Sequence, residues 1–450
     1  MKKSILTAAL TLPLALVAAQ KPNVVFILVD DLGYSDLAFM GQKELNTPNV
    51  DKFREQGMFF DNAYAACPVS SPTRASIITG KYPAEVKITC HIPGVGMEAY
   101  NKNMAPGRKF GEAYFTDHLD LDSPTVAKVM KSKGYKTAFM GKWHLAGSGY
   151  TKSADGVIKP EYHPDKFGFD VNLGGCSGGQ PKSYFSPYKN GTLSDGKPGE
   201  YLTDRLGDEA VKYIKENKKD PFFLYLSFYA VHSPYQVPKD VVAQNKGNKY
   251  HALIQKMDEN VGKILDCLNQ EGLDENTLVI FYSDNGGLQA NPPLSGKKGE
   301  LREGGIRVPL ICRWTGKIEA GSTNHTPITS VDMMPTLKDL TGTKLKKEIG
   351  ESFLPLLLGK SKELKERAIF WHYPHHRKGS TWSMGAAVRK GDWKLIELYE
   401  TSEVKLFNLK DDIKEDKDLS ASNKAKTKEL LDALHAWQKS VDAEPAKKLM

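Results

Sequence analysis

Asn23-Val24-Val25-Phe26-Ile27-Leu28-Val29 is an uncharged run of apolar side chains behind one leading Asn, and Asp30-Asp31 end it abruptly. Apolar residues at every position, not every second one, mark a strand covered on both faces, as in a parallel sheet. The same pattern recurs at residues 136–140, 222–228, 278–282 and 308–312, and the third of these also stops at polar residues, Ser283-Asp284-Asn285. Helix signals lie between the runs. Thr47-Pro48 reads as a cap with proline in the first turn and Gly57 as the stop, and Ser123-Pro124 with Gly134 repeats the device. Leu202–Asn217 and 251–272 keep helical spacing of apolar residues. Strands separated by helices predict an α/β chain built on a mostly parallel sheet. Its ligands belong beyond the carboxyl ends of the strands, where both acidic pairs fall.

Composition bounds the rest. The chain has 450 residues, 40% hydrophobic and 10% aromatic, which supplies a large core and excludes global disorder. Sixty-two basic side chains against 54 acidic ones give a mild positive excess with no dense basic tract, so nucleic acid is not an expected partner. Lys2 and Lys3 precede an uncharged stretch to Ala19, shorter than the roughly 20 residues of a bilayer-spanning helix, with Val17 and Ala19 in cleavage positions. This predicts a signal peptide over 1–19, cut before Gln20, a periplasmic or secreted protein, and no stable membrane span. Five scattered cysteines make a disulfide scaffold improbable and leave room for one or two bridges; none is paired in a zinc pattern.

Composition shifts near Thr341. Residues 344–365 are lysine-rich and aperiodic, and read as a connection. Beyond them Ala368–Tyr373, 385–389 and Trp393–Leu398 read as a smaller antiparallel sheet, followed by a helix over 424–439. The expected division is therefore 20–340 for a catalytic unit and 341–450 for a C-terminal α+β unit.

Pro68-Val69-Ser70-Ser71-Pro72-Thr73-Arg74 is a turn feeding a helix, with Ser70 at its start and Arg74 one turn on. Free N–H groups there favour an anion, and Arg74 is expected on the face of Ser70, fixing the charge of a nucleophile at that position. Asp30, Asp31, Asp284 and Asn285 offer three carboxylates and an amide oxygen, a donor set for a hard cation such as calcium or magnesium. In Gly141-Lys142-Trp143-His144, Lys142 and His144 share one face if the strand continues, with Trp143 on the other. His232 follows the strand at 222–228, and Lys298 opens a glycine-flanked loop ending at Gly304-Gly305.

Six such segments, in this order over most of the chain, resemble the formylglycine-dependent sulfatases of the alkaline-phosphatase superfamily. That family carries Cys or Ser, any residue, Pro, Ser or Thr, then Arg, and Pro72 and Arg74 select Ser70 as the matching position in a serine-type member. The resemblance implies a large mixed, mostly parallel sheet between helices with a smaller C-terminal antiparallel sheet. It implies that a maturase oxidises Ser70 to formylglycine, and that Asp30, Asp31, Asp284, Asn285 and the modified Ser70 surround one calcium ion, magnesium being possible. It assigns sulfate binding to Lys142 and removal of the hydroxyl proton to His144. It further implies that His232 and Lys298 contact the leaving group, His232 as the acid and Lys298 by charge.

The implied reaction is hydrolysis of an O-sulfate, on a galactose-type residue or a glycosaminoglycan fragment. Trp371-His372-Tyr373-Pro374-His375-His376-Arg377 is expected to be either a sugar-contacting segment or a surface loop. The family pattern is broken after Pro83, where residues 84–89 intervene before Cys90-His91. Two rival functions stand beside the first. A phosphate or phosphonate monoester hydrolase of the two-zinc type needs Asp-His where this chain has Asp284-Asn285. A silent sulfoglycan-binding protein would keep Ser70 unmodified.

Overall fold

In the computed structural model, which describes residues 20–104 and 107–449, the run that decides the fold lies at the middle of an eight-stranded sheet. The expected leader, 1–19, lies outside the described residues. In chain order the strands are β1 (Asn23–Val29), β2 (Met58–Phe60), β3 (Lys136–Gly141), β4 (Val171–Leu173), β5 (Phe222–Ser227), β6 (Thr277–Ser283), β7 (Leu310–Arg313) and β8 (Ser322–Asn324). Their spatial order is β8-β2-β7-β6-β1-β5-β3-β4. Only β7 runs against its neighbours.

The two faces of β1 feed two cores. Val25, Ile27 and Val29 pack with the helices Leu202–Asn217 and Lys249–Gln270 on one side. Val24, Phe26 and Leu28 pack with Ser70–Thr79, Val126–Ser132 and Met333–Leu340 on the other. Burial on both faces is why the strand carries no polar alternation.

Register places the chemistry. Val29 pairs with Ser283, Leu28 with Ser227, and Gly141 with Ser227, so β1, β6, β5 and β3 end on one line. Asp30-Asp31, Asp284-Asn285 and Lys142 leave the sheet together at that edge.

A four-stranded antiparallel sheet, Ala368–Tyr373, Gly385–Lys390, Trp393–Leu398 and Glu403–Asn408, carries the helix Lys424–Ser440 on one face. Its other face shares a core with Tyr64, Cys67 and Val69. Lys394, fully buried, bridges Glu303 and Glu415 at 2.8 Å each, and Glu303 accepts from Tyr64 at 2.7 Å. The small sheet is thereby locked to the loop that carries Lys298.

Four sequence expectations need correction. The helix expected at Ser123-Pro124 begins at Val126, because the Thr125 hydroxyl accepts from Lys128 N and takes the cap. Within 344–365 a single helical turn, Leu354–Leu357, follows Phe353 into the core, where Phe353 meets the ring of Phe60. Glu403–Asn408 adds a fourth strand to the small sheet. All five cysteines are buried free thiols, so the one or two bridges left open do not form. Among the described residues no helix is long and apolar enough to cross a membrane.

Candidate active site

Ser70 is the first residue of a helix, Ser70–Thr79, buried along its whole length. Its hydroxyl lies 3.2 Å from Asp30 Oδ1 and 3.1 Å from Asn285 Oδ1, and Lys142 Nζ reaches it at 3.4 Å. Asp30, Asp31 and Asp284 are 0% exposed and bring one oxygen each within 4.8 Å of one another. Three cations answer them singly: Lys142 meets Asp30 at 2.7 Å, Lys298 meets Asp31 at 2.5 Å, and Arg74 grips Asp284 with Nε at 2.8 Å and Nη2 at 2.7 Å.

The backbone is bent to achieve this. Asp31 and His144 adopt the left-handed region, φ 62° and 60°, which costs a non-glycine residue energy and persists where surroundings over-determine it. Gly286 has no room for a side chain, since a Cβ would fall 1.9 Å from Gly304 O; this contact docks the Asp284 turn on the Lys298 loop.

Electrostatically the three carboxylates are held unequally. Burial pushes the Asp30 carboxyl up to about 7 despite Lys142, with Asp284 and Asp31 adding repulsion. Burial acts on Asp31 in the same direction, yet Lys298, His232 and Lys142 outweigh it and hold that carboxyl below the usual range. Arg74 does the same for Asp284 against its burial. Asp31 Oδ2 is buried without a hydrogen-bond partner. Crowded buried carboxylates, an amide oxygen and an orphaned carboxylate oxygen fit a hard divalent cation, with no sulfur or imidazole to favour zinc.

The remaining expected residues reach the site with altered partners. Arg74 does not turn to Ser70: besides Asp284 it donates to Lys142 O at 2.8 Å and Ser227 Oγ at 2.7 Å, so it positions a carboxylate and the β3 exit. Strand β3 stops at Gly141, yet the alternation holds, with Lys142 and His144 in the site and Trp143 in the core. His144 faces Ser71, not Ser70. Its Nδ1 lies 3.1 Å from Ser71 Oγ and its Nε2 2.8 Å from Ile92 O, so Nε2 carries the proton and Nδ1 accepts. Burial, then Lys142, depresses its basicity strongly. His232 Nδ1 donates to Ser233 O at 2.7 Å, leaving Nε2 3.8 Å from Asp31 Oδ2. Its side chain, 17% exposed, and that of Lys298, 9%, form the open side of the site. Burial drives His232 down to about 3, with Asp31 opposing.

Sequence reasoning missed Ser71, Ile92 and Ser227. Each acts through contacts between distant segments that no local spacing announces. Ile92, just past the stretch that breaks the family pattern, donates from its N to Ser71 Oγ at 3.0 Å.

The segment 371–377 needs the opposite correction. Trp371 donates to Ala65 O, Tyr373 lies in the shared core, and His372 and His376 reach Glu444 O and Phe110 O. These side chains are buried, so residues 371–376 are neither a stacking platform nor a surface loop; strand alternation and the shared core claimed their aromatics. Cys90, Glu112 and His375 also gather there. His375 Nδ1 meets Glu112 at 2.7 Å and Nε2 meets Thr89 Oγ1 at 2.8 Å, so both ring nitrogens are spent on holding two segments together. Surface hollows of about 570 Å³ and 640 Å³ elsewhere contain none of the side chains gathered around Ser70.

Comparison with known proteins adds the family context. Residues 22–343 match the family model described as Sulfatase, and 297–442 match the model for the C-terminal part of N-sulphoglucosamine sulphohydrolase. The chain is 31% identical to a sulfatase of Formosa agariphila over 90% of its own length and 86% of the relative's. It is 30% identical to the N-acetylgalactosamine-6-sulfatase of Mus musculus over 80% and 70% respectively. The crystal structure of Ps i-CgsB in complex with k-i-k-neocarrahexaose superposes with a TM-score of 0.78 at 31% identity, covering 93% of each chain.

Proposed function

The chain belongs to the sulfatase family and hydrolyses sulfuric esters, and from that premise we propose that it removes an O-sulfate from a sulfated carbohydrate with a formylglycine made from Ser70. The observation that carries this reading is the placement of Ser70 Oγ at a helix start, within 3.2 Å of Asp30 and Asn285 and inside a ring of three carboxylates and three cations. The sugar follows from the ligand named for Ps i-CgsB and the substrate named for the mouse relative.

Serine alone is a poor choice for this chemistry, because a sulfated hydroxyl would need a second displacement at sulfur. Oxidation by a maturase and hydration give two hydroxyls on one carbon: one oxygen attacks sulfur as the sugar alcohol leaves. Deprotonation of the other then breaks the carbon–oxygen bond to sulfate and restores the aldehyde. Calcium, held by Asp30, Asp31, Asp284, Asn285 and the modified Ser70, would acidify the attacking hydroxyl and balance charge on the sulfonyl oxygens. Lys142, 3.4 Å from Ser70 Oγ, would hold the sulfonyl group. His144 Nδ1, the acceptor that Ser71 now meets, would take the second proton. We further propose export, with the leader cut before Gln20.

Parallel assays with 4-nitrophenyl sulfate and 4-nitrophenyl phosphate test the reading. Faster sulfate cleavage is expected, and faster phosphate cleavage would overturn it.

His232 supplies a second expectation. With Nδ1–H given to Ser233 O, Nε2 donates to a leaving alcohol only as the imidazolium, a form that burial disfavours and that Asp31 and an arriving anionic ester favour against it. His232→Ala should lower kcat/KM for a sugar sulfate by about 100-fold and for 4-nitrophenyl sulfate, whose phenolate needs little protonation, by under about tenfold. Equal losses on both esters would remove His232 from the acid role.

A further inference from the structure

Arg377 is the one residue of the 371–377 segment that stays out of the core. Its backbone is fixed by Ser383 Oγ, which accepts from Arg377 N at 3.0 Å, and by Ser380 N, which donates to Arg377 O at 3.1 Å. Its side chain lies across Gly299, the neighbour of Lys298. A Cβ there would meet Arg377 Cγ at 2.6 Å, Cδ at 2.7 Å and Nε at 3.0 Å, so this approach requires a glycine. Gly299 N donates in turn to Pro68 O, two residues before Ser70. The guanidinium therefore stands on a loop tied directly to the nucleophile's turn.

The nearby cations that are buried or half-buried have carboxylates of their own. Lys142 has Asp30, Lys298 has Asp31, Arg74 has Asp284, and Arg302 has Glu300 at 2.8 Å while stacking on Trp382. Among the described residues the half-buried Arg377 guanidinium forms no hydrogen bond or ion pair. Charge held partly out of water without a partner is unfavourable, and an arriving anion relieves it. A planar fork of donors suits sulfate and carboxylate alike. The Arg377 charge acts together with that of Lys298: the His91 imidazole is driven down to about 3 by burial and then by these two cations.

We propose that Arg377, laid over Gly299 beside the Ser70 pocket, binds a second anionic group of the substrate, so that the accepted sugar carries one negative charge on the ester to be cut and another facing this guanidinium. The inference rests on the sulfatase reading of the Ser70 site and adds a substrate class to it.

Binding measured apart from turnover separates the two. In a Ser70→Ala background, calorimetry would follow three disaccharides of one backbone: with one sulfate, with two, and with one sulfate plus a uronate carboxylate. One of the dianionic sugars should bind at least about tenfold more tightly than the monosulfated one, and which of them does so identifies the second anion. Arg377→Gln should shrink that ratio to within about threefold, and Arg377→Lys should keep part of it, since charge survives but the fork does not. Equal affinity for one and two anions, or a full ratio in Arg377→Gln, overturns the proposal. Failure of the sulfatase reading would show elsewhere, as absent turnover of 4-nitrophenyl sulfate by the wild-type protein.

Discussion

Alanine at position 70 should lower turnover of any sulfate ester by about 10⁴-fold or more while leaving a folded protein. The change removes the atom from which the nucleophile is made. Other groups of the site remain, so residual rate reflects binding and charge alone. Stability should fall little. The hydroxyl donates one proton, shared between Asp30 Oδ1 and Asn285 Oδ1, so its loss costs about 1–2 kcal/mol. Chemical denaturation alongside single-turnover kinetics separates the two effects. A rate within tenfold of wild type would refute a nucleophile at this position.

Asp284→Ala should be nearly as damaging, for a different reason and with a different signature. This carboxylate accepts from Arg74 and from Asp31 N at 3.1 Å, and belongs to the three-carboxylate cluster. Its removal leaves the Arg74 guanidinium, 2% exposed, with Lys142 O and Ser227 Oγ and only a distant Asp30 at 3.6 Å. An uncompensated buried charge costs about 3–5 kcal/mol. Turnover should drop about 10³-fold with loss of the cation. Calcium added to chelator-treated wild-type protein at about 100 times its Kd should stabilise it by about 2.7 kcal/mol, seen as a higher Tm. The variant should show no such rise. An equal calcium-dependent rise in both proteins would contradict the assignment of these oxygens to a metal.

Legibility in the sequence followed range. β1 and β6 were readable because seven consecutive buried positions leave no polar alternation, and the acidic pairs at their ends were readable because strand register aligns them. The partner of Arg74 was not. Four residues along a helix put it on the face of Ser70, but its long side chain crosses to Asp284 on another strand, a choice made by tertiary contact. His144 follows the same rule: spacing gave its face, while Ser71 and Ile92, brought together by a non-local turn, decided its tautomer. The segment from Trp371 to His376 misled because aromatic and basic residues make the same pattern in a sugar site and in a strand whose neighbours supply acceptors. Burial resolves that ambiguity, and burial is not local.

The most direct test is the mass of one peptide. Trypsin releases residues 55–74 from protein made in its native host, with Cys67 alkylated so that thiol oxidation cannot imitate the result. The account predicts a peptide lighter by two hydrogens, with fragmentation placing the loss at position 70, as conversion of the serine hydroxyl to an aldehyde requires. Unmodified serine throughout that material would contradict it, and would leave the chain with a sulfate pocket and no means of turning the ester over.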